Sequence, residues 1–208
     1  METLGSNSLI EWGAAGQALA GETESGDHWL VELLPGAALV AVVDGLGHGV
    51  EASRAAQIAV KTLQTHASEY LSSLVRRCHE ALRSTRGAAM SLASFHGSES
   101  TMTWLGVGNV EGALLRGRSS GEGSEHTPDR ESLILRSGVV GYQLPPLRTT
   151  TVRVSPGDLL ILTTDGIRRG FLQQLRVDLP VQTIADQILA QYARETDDSL
   201  VLTVRYLG

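Results

Sequence analysis

The chain has 208 residues, 42% of them hydrophobic, and a formal net charge of −6, which is enough to bury a sizeable core and reads as one domain over residues 1–208. Its basic residues are almost all arginine and are scattered, which argues against a nucleic-acid surface; Lys61 is the one lysine, and the absence of a GK[ST] motif removes P-loop and kinase-like sites. The apolar runs Ala37 to Val43 and Leu159 to Leu162 fall far short of the roughly 18 residues of a spanning helix. With no signal-type core in METLGSNSLIEWG and a single Cys78, the expectation is a cytoplasmic protein without a membrane segment or disulfide.

In chain order, Ser8 to Gly13 and His28 to Leu33 are short apolar or alternating runs bounded by Gly, Ser and Pro, which predicts strands. PGAALVAVVDG follows as a buried strand. From Val50 to Thr65, Ala52, Ala55, Ala56, Ala59, Val60 and Leu63 recur at i, i+3, i+4 spacing and predict a helix with one apolar face. Glu69 to Ser84 repeats the pattern with Leu71, Leu74, Val75, Cys78 and Leu82. From Ala88 the period becomes two, and AAMSLASF, TMTWLGVGN, EGALLRG, SLILRSG, TTTVRVS and DLLILTTDG predict a meander of antiparallel strands. The polar stretch GRSSGEGSEHTPDRES reads as a mobile hairpin tip. Thr183 to Arg194 predicts a third helix, and DDSLVLTVRYLG a closing strand. Strands in quantity with helices in two blocks indicate an α+β fold, helices covering the outer faces of packed antiparallel sheets.

Two apolar strands end alike: LVAVVDG delivers Asp44 and Gly45, and LLILTTDG delivers Asp165 and Gly166. Asp197 and Asp198 precede the last strand. Such carboxylates can converge on one edge of a sandwich, where glycine lets a backbone carbonyl or an ion approach closely. A cluster of like charges is relieved by hard divalent cations, because oxygen-only ligand sets suit Mg²⁺ or Mn²⁺ rather than zinc. A single Asp-Gly is usually a hairpin turn. Here both copies follow fully apolar runs, and the first leads into a helix rather than a returning strand.

Taken together, ESGDHW around Asp27, VVDGLGHGVEAS, PGDLLILTTDGI and TDDSLVLTV resemble, in order and over most of the chain, the motifs of the metal-dependent PPM protein serine/threonine phosphatases, in their bacterial SpoIIE/RsbX-like branch. The resemblance implies a four-layer αββα sandwich. It further implies that Asp44 bridges two Mn²⁺ or Mg²⁺ ions, with the Gly45 carbonyl on one and Asp165 and Asp197 on the other, Asp44 and Asp165 being the residues on which catalysis depends. Asp27 is then an additional ligand or an acceptor that orients water. Two such cations activate water for in-line attack at phosphorus, so no phosphoenzyme and no catalytic cysteine are required.

Other residues admit more than one role. His48 in GLGHG sits two residues further from the Asp-Gly than the histidine of eukaryotic members, which favours a structural part at the helix start over proton donation. Arg168 and Arg169 could grip the phosphate or an acidic partner bidentately, or be a solvated pair. Ser199 stands where the family's threonine is expected. The resemblance implies a phosphoserine/phosphothreonine phosphatase acting on phosphorylated STAS-domain proteins of a stressosome, as negative feedback on bacterial stress signalling. Two rivals are a catalytically inactive scaffold of the same fold, which binds phosphoproteins, and an aspartyl-phosphate receiver, which lacks its lysine because Lys61 lies mid-helix.

Overall fold

The computed structural model describes residues 3–6, 9–117, 130–173 and 175–208. Ser8, where the first strand is expected to begin, and residues 118–129 of the expected hairpin tip lie outside them. The chain runs β1 (Thr3–Ser6), β2 (Ile10–Gln17), β3 (Asp27–Leu34), β4 (Ala37–Gly45), α1 (Gly49–Thr65), α2 (Leu71–Ala81), β5 (Ala88–His96), β6 (Thr101–Val107) and β7 (Glu111–Leu115). It continues with β8 (Arg130–Ser132), β9 (Thr150–Arg153), β10 (Leu159–Thr163), α3 (Val181–Tyr192) and β11 (Ser199–Tyr206).

Two antiparallel sheets form, ordered β1-β2-β11-β10-β7-β8 and β3-β4-β5-β6-β9. The strands after Ala88 are therefore not one meander: β5, β6 and β9 join one sheet, and β7, β8, β10 and β11 the other. The expected strand SLILRSG is where the chain changes sheets. Ser132 pairs with Ala113 of β7 and the Leu133 N–H donates to Gly112 O, but Arg136 bonds Gly106 and Gly108 at the end of β6. A strand that crosses between layers cannot keep one period of alternation, so a uniform strand is not formed there.

Alternation fixes the layers. Along β4, Ala38, Val40 and Val42 enter the core between the sheets, while Leu39, Ala41 and Val43 face α1 and α2. Along β10, Leu160 and Leu162 point between the sheets, and Leu159 and Ile161 point to α3. Both strands are covered on both faces, which is why they read as continuous apolar runs. The order is α1/α2, sheet, sheet, α3: the four-layer αββα sandwich that was expected.

The alanine face of α1 matters for the site. Ala52, Ala55, Ala56 and Ala59 are fully buried, and their small side chains let the helix backbone come down onto the end of β4. A Cβ on Gly45 would lie 2.1 Å from the Ala52 carbonyl oxygen. Enlarging Ala55 or Ala56 to leucine would force the helix outward, at about 1–3 kcal/mol. The second helix stops at Ala81 rather than Ser84, because the Thr85 hydroxyl and N–H both donate to Leu82 O and close a turn. The first long strand, β2, runs well past Gly13. Gly13 lets α3 lie against the strand backbone, since a Cβ there would meet Gln182 Cα at 2.5 Å.

Candidate metal centre

The antiparallel register of β3 and β4 puts Asp27 directly opposite Asp44. On the other sheet, the chain beyond β10 carries Thr164, Asp165 and Gly166, and Asp197 and Asp198 lead into β11 at Ser199. These two segments are stitched together. The Leu200 N–H donates to the Thr164 hydroxyl at 2.9 Å, and the Ser199 hydroxyl donates to Gly166 O at 3.0 Å. A Cβ on Gly166 would lie 1.8 Å from the Asp198 carbonyl oxygen, so only glycine fits. The Thr164 hydroxyl then donates to Asp27 Oδ2 at 2.7 Å and joins the sheets at the site.

Neighbouring aspartates on β11's approach diverge, as successive side chains on extended backbone do. Asp198 is 3% exposed, and its oxygens accept the N–H groups of Leu19 and Gly26, each at 2.8 Å. It anchors the loop that leads into β3. Asp197 accepts the Asp198 N–H at 2.9 Å and remains half-buried at the rim. Asp165 is exposed, with Oδ2 taking the Asn109 amide at 2.6 Å.

The electrostatics follow from crowding acids at a partly dry edge. Burial, and next Asp165, push the Asp44 carboxyl up to about 7, and the nearby Asn109 amide tempers the rise. Burial and then Asp44 raise Asp27 well above the usual carboxylate range, against the Thr164 hydrogen bond. Asp197 is raised by burial and then by Asp165. Asp27, Asp44, Asp165 and Asp197 thus form a set of carboxylates that repel one another across the ends of both sheets. Among the described residues no three His, Cys, Asp or Glu side chains already close around a point as a metal cage. Hard cations also draw on backbone carbonyls and water, and the Gly45 carbonyl stands beside Asp44. An oxygen-only set with this charge excess fits Mg²⁺ or Mn²⁺ in its chemistry.

The flanking residues have definite partners. His48 precedes α1 in extended conformation without capping it through its side chain; its Nδ1 lies 2.6 Å from Glu22 Oε1, so it ties the Leu19–Gly26 loop to the helix start. Arg168 Nη2 donates to Gln191 O at 2.6 Å and its backbone N–H to Tyr192 O at 2.8 Å, closing the end of α3. Arg169 is exposed and pairs with Glu111 at 2.9 Å. Neither guanidinium hydrogen-bonds the carboxylate set. Cys78 is buried under α1 and α2 with its thiol pushed up to about 12 by burial, which leaves it unreactive.

Sequence reasoning did not single out Thr164 or Asn109 as site residues, or the anchoring part of Asp198. Thr164 is visible only as the residue before Asp165. Asn109 has no local signal, because it reaches Asp165 from the loop after β6.

Residues 35–207 match the family model described as Stage II sporulation protein E (SpoIIE). The span is most of the chain. The chain belongs to the SpoIIE family. It is 28% identical to the phosphoserine phosphatase RsbX of Bacillus subtilis (strain 168) over 149 residues, which are 71% of this chain and 69% of RsbX. Among solved structures, a chain from work on the bacterial stressosome, as a modular system adapted to control secondary messenger signalling, is similar with a TM-score of 0.83. It is 30% identical, covering 94% of this chain and 99% of that one. A crystal structure of RsbX in complex with magnesium has a TM-score of 0.86 at 22% identity, covering 99% and 100%, and supports the fold. These likenesses bear out the SpoIIE/RsbX-like resemblance and the αββα architecture.

Proposed function

We propose that this chain removes phosphate from phosphoserine and phosphothreonine on bacterial signalling proteins, with phosphorylated STAS-domain components of a stressosome as substrates, and so acts as negative feedback on stress signalling in the cytoplasm. The coarser statement, an RsbX-like phosphatase of the metal-dependent PP2C type, follows from the family and fold. The observation that carries the proposal is the meeting of Asp44 and Asp165, from the strand ends of opposite sheets, with Asp197 and Asp27 around them.

In this reading Asp44, the Gly45 carbonyl, Asp165 and Asp197 hold two Mn²⁺ or Mg²⁺ ions. Bound cations supply Lewis acidity, which generates a nucleophile from water near neutral pH and neutralises charge on the phosphoryl group. The chain's own contribution is positioning. Strand pairing fixes Asp44 and Asp27 face to face, Gly45 leaves room for α1 against the end of β4, and Asn109 holds Asp165 by its amide. Asp27, oriented by Thr164, serves as a further ligand or as an acceptor for a water proton. With Cys78 buried and water as the nucleophile in this reading, hydrolysis needs no covalent intermediate on the protein.

The test is phosphate release from phosphoserine-bearing STAS-domain proteins with Mn²⁺ or Mg²⁺. Asp44→Ala and Asp165→Ala should each abolish it. Full activity in the Asp44 variant would refute the mechanism, and no release from any phospho-STAS protein, alongside turnover of other phosphoserine proteins, would refute the substrate assignment.

A further inference from the structure

The carboxylate set leaves open what receives the substrate's phosphoryl group. Arg168 and Arg169 hydrogen-bond elsewhere, to α3 and to Glu111. A different arginine lies on the loop that follows Asp44. A Cβ on Gly47 would stand 2.8 Å from Arg86 Nη1, and Gly47 itself has φ +94. The Arg86 guanidinium therefore rests directly on the glycine knot, three residues beyond Asp44.

Arg86 is held there by its backbone. Gly45 pairs with Ala88 at the end of the β4–β5 ladder, and the Leu46 N–H donates to Gly87 O at 3.0 Å, so Arg86 stands across from Gly47. Behind it, the Gly87 N–H donates to the Thr85 hydroxyl, and the Ala88 N–H to Val140 O. A Cβ on Gly87 would meet Val140 O at 2.7 Å, so the segment is clamped against its neighbour. On this fixed base the Arg86 side chain is exposed, and among the described residues it makes no side-chain hydrogen bond or ion pair. Other arginines are also without such partners, but Arg86 has its guanidinium against the loop that leaves Asp44, whereas Arg77, Arg116 and Arg205 are taken up by Glu69, Asp158 and Glu11. A rigidly based guanidinium with free donors, on the loop that leaves Asp44, has the fork geometry that takes two phosphoryl oxygens at once.

We propose that Arg86 is the substrate-binding residue that receives the phosphoryl oxygens of the phosphoserine substrate. This rests on the phosphatase reading above. Binding there makes ground-state affinity depend on Arg86.

The experiment compares the Mn²⁺-loaded full chain with Arg86→Ala, Arg86→Lys and, as a control, Arg76→Ala on the exposed face of α2. Arg86→Ala should raise KM for a phosphoserine peptide and the inhibition constant of inorganic phosphate together, each by about tenfold, with kcat within about twofold. Arg86→Lys should recover part of the affinity, because it restores the charge but not the fork. Arg76→Ala should change neither. Unaltered KM and phosphate inhibition in Arg86→Ala would overturn the proposal, as would a raised peptide KM with unchanged phosphate inhibition, or an equal loss in Arg76→Ala. Melting temperatures check that all variants fold. If the parent protein turned over no phosphoserine substrate, the phosphatase reading would fail by itself. Calorimetry with inorganic phosphate would still decide Arg86: weaker binding in Arg86→Ala supports the assignment, and equal binding overturns it.

Discussion

Replacing Asp44 by asparagine should stabilise the metal-free protein while destroying its activity. The carboxyl's ordinary value is 3.8, and burial with Asp165 nearby pushes it up to about 7. The folded state therefore keeps this proton to a higher pH than the unfolded chain does, and stability falls as pH rises from about 4 to about 7. At about 1.4 kcal/mol per pH unit, the ceiling on that loss is about 4 kcal/mol. Asp27 and Asp197 titrate against Asp44 in the same cluster, and the rim is partly solvated, so we expect about 2–3 kcal/mol at pH 8. Asparagine keeps the shape and removes the charge. For a chain of this length that corresponds to a melting temperature about 4–10 °C higher than the parent's at pH 8 in EDTA, with the difference vanishing near pH 4. Added Mn²⁺ should stabilise the parent and leave the variant unmoved. Differential scanning calorimetry at pH 4, 6 and 8, with EDTA and with Mn²⁺, measures all of this. If Asp44→Asn melts no higher than the parent at pH 8 in EDTA, the carboxylates do not repel one another as the geometry requires, and the charge-relief argument for metal binding is wrong.

Other outcomes follow from single contacts. Gly166→Ala puts a Cβ 1.8 Å from the Asp198 carbonyl oxygen and should cost at least about 3 kcal/mol in urea unfolding; a loss below about 1 kcal/mol would mean that this junction yields. Asp198→Ala frees the N–H groups of Leu19 and Gly26 and should cost about 2–4 kcal/mol. Amide exchange over residues 19–26 should quicken by at least tenfold, and unchanged exchange would show that Asp198 does not anchor the loop. Thr164→Val removes the donor to Asp27 and the acceptor of the Leu200 N–H; about 1–3 kcal/mol should be lost, with a reduced phosphatase rate. A variant as active and as stable as the parent would dismiss Thr164 as a positioning residue.

What the sequence reveals depends on how local the cause is. The β4 run and the alanine stripe of α1 are legible because burial on two faces and helical spacing leave patterns within a few residues. The ends Asp44-Gly45 and Asp165-Gly166 stand out because an aspartate after an apolar run is chemically conspicuous. By contrast, Thr164 meets Asp27 across 137 residues and Asp198 meets Gly26 across 172, and no local period records such pairings. The change of sheet between Ser132 and Arg136 is equally hidden, since apolar residues line the crossing as they line a strand. Arg168 shows the limit of charge alone: beside Asp165 it suggested phosphate binding, yet its guanidinium lies on the carbonyls that end α3. Arg86 gave no signal at all, because its place against Gly47 depends on the β4–β5 register.

Strand-end carboxylates that hold metal for phosphoester hydrolysis make phosphate release depend on both the metal and Asp44. The most direct measurement is phosphate release from a phosphoserine STAS-domain protein by the parent and by Asp44→Ala, each with Mn²⁺ and with EDTA. Release is expected only from the parent with Mn²⁺; release that persists in EDTA or in the Asp44 variant would show that these carboxylates hold no catalytic metal.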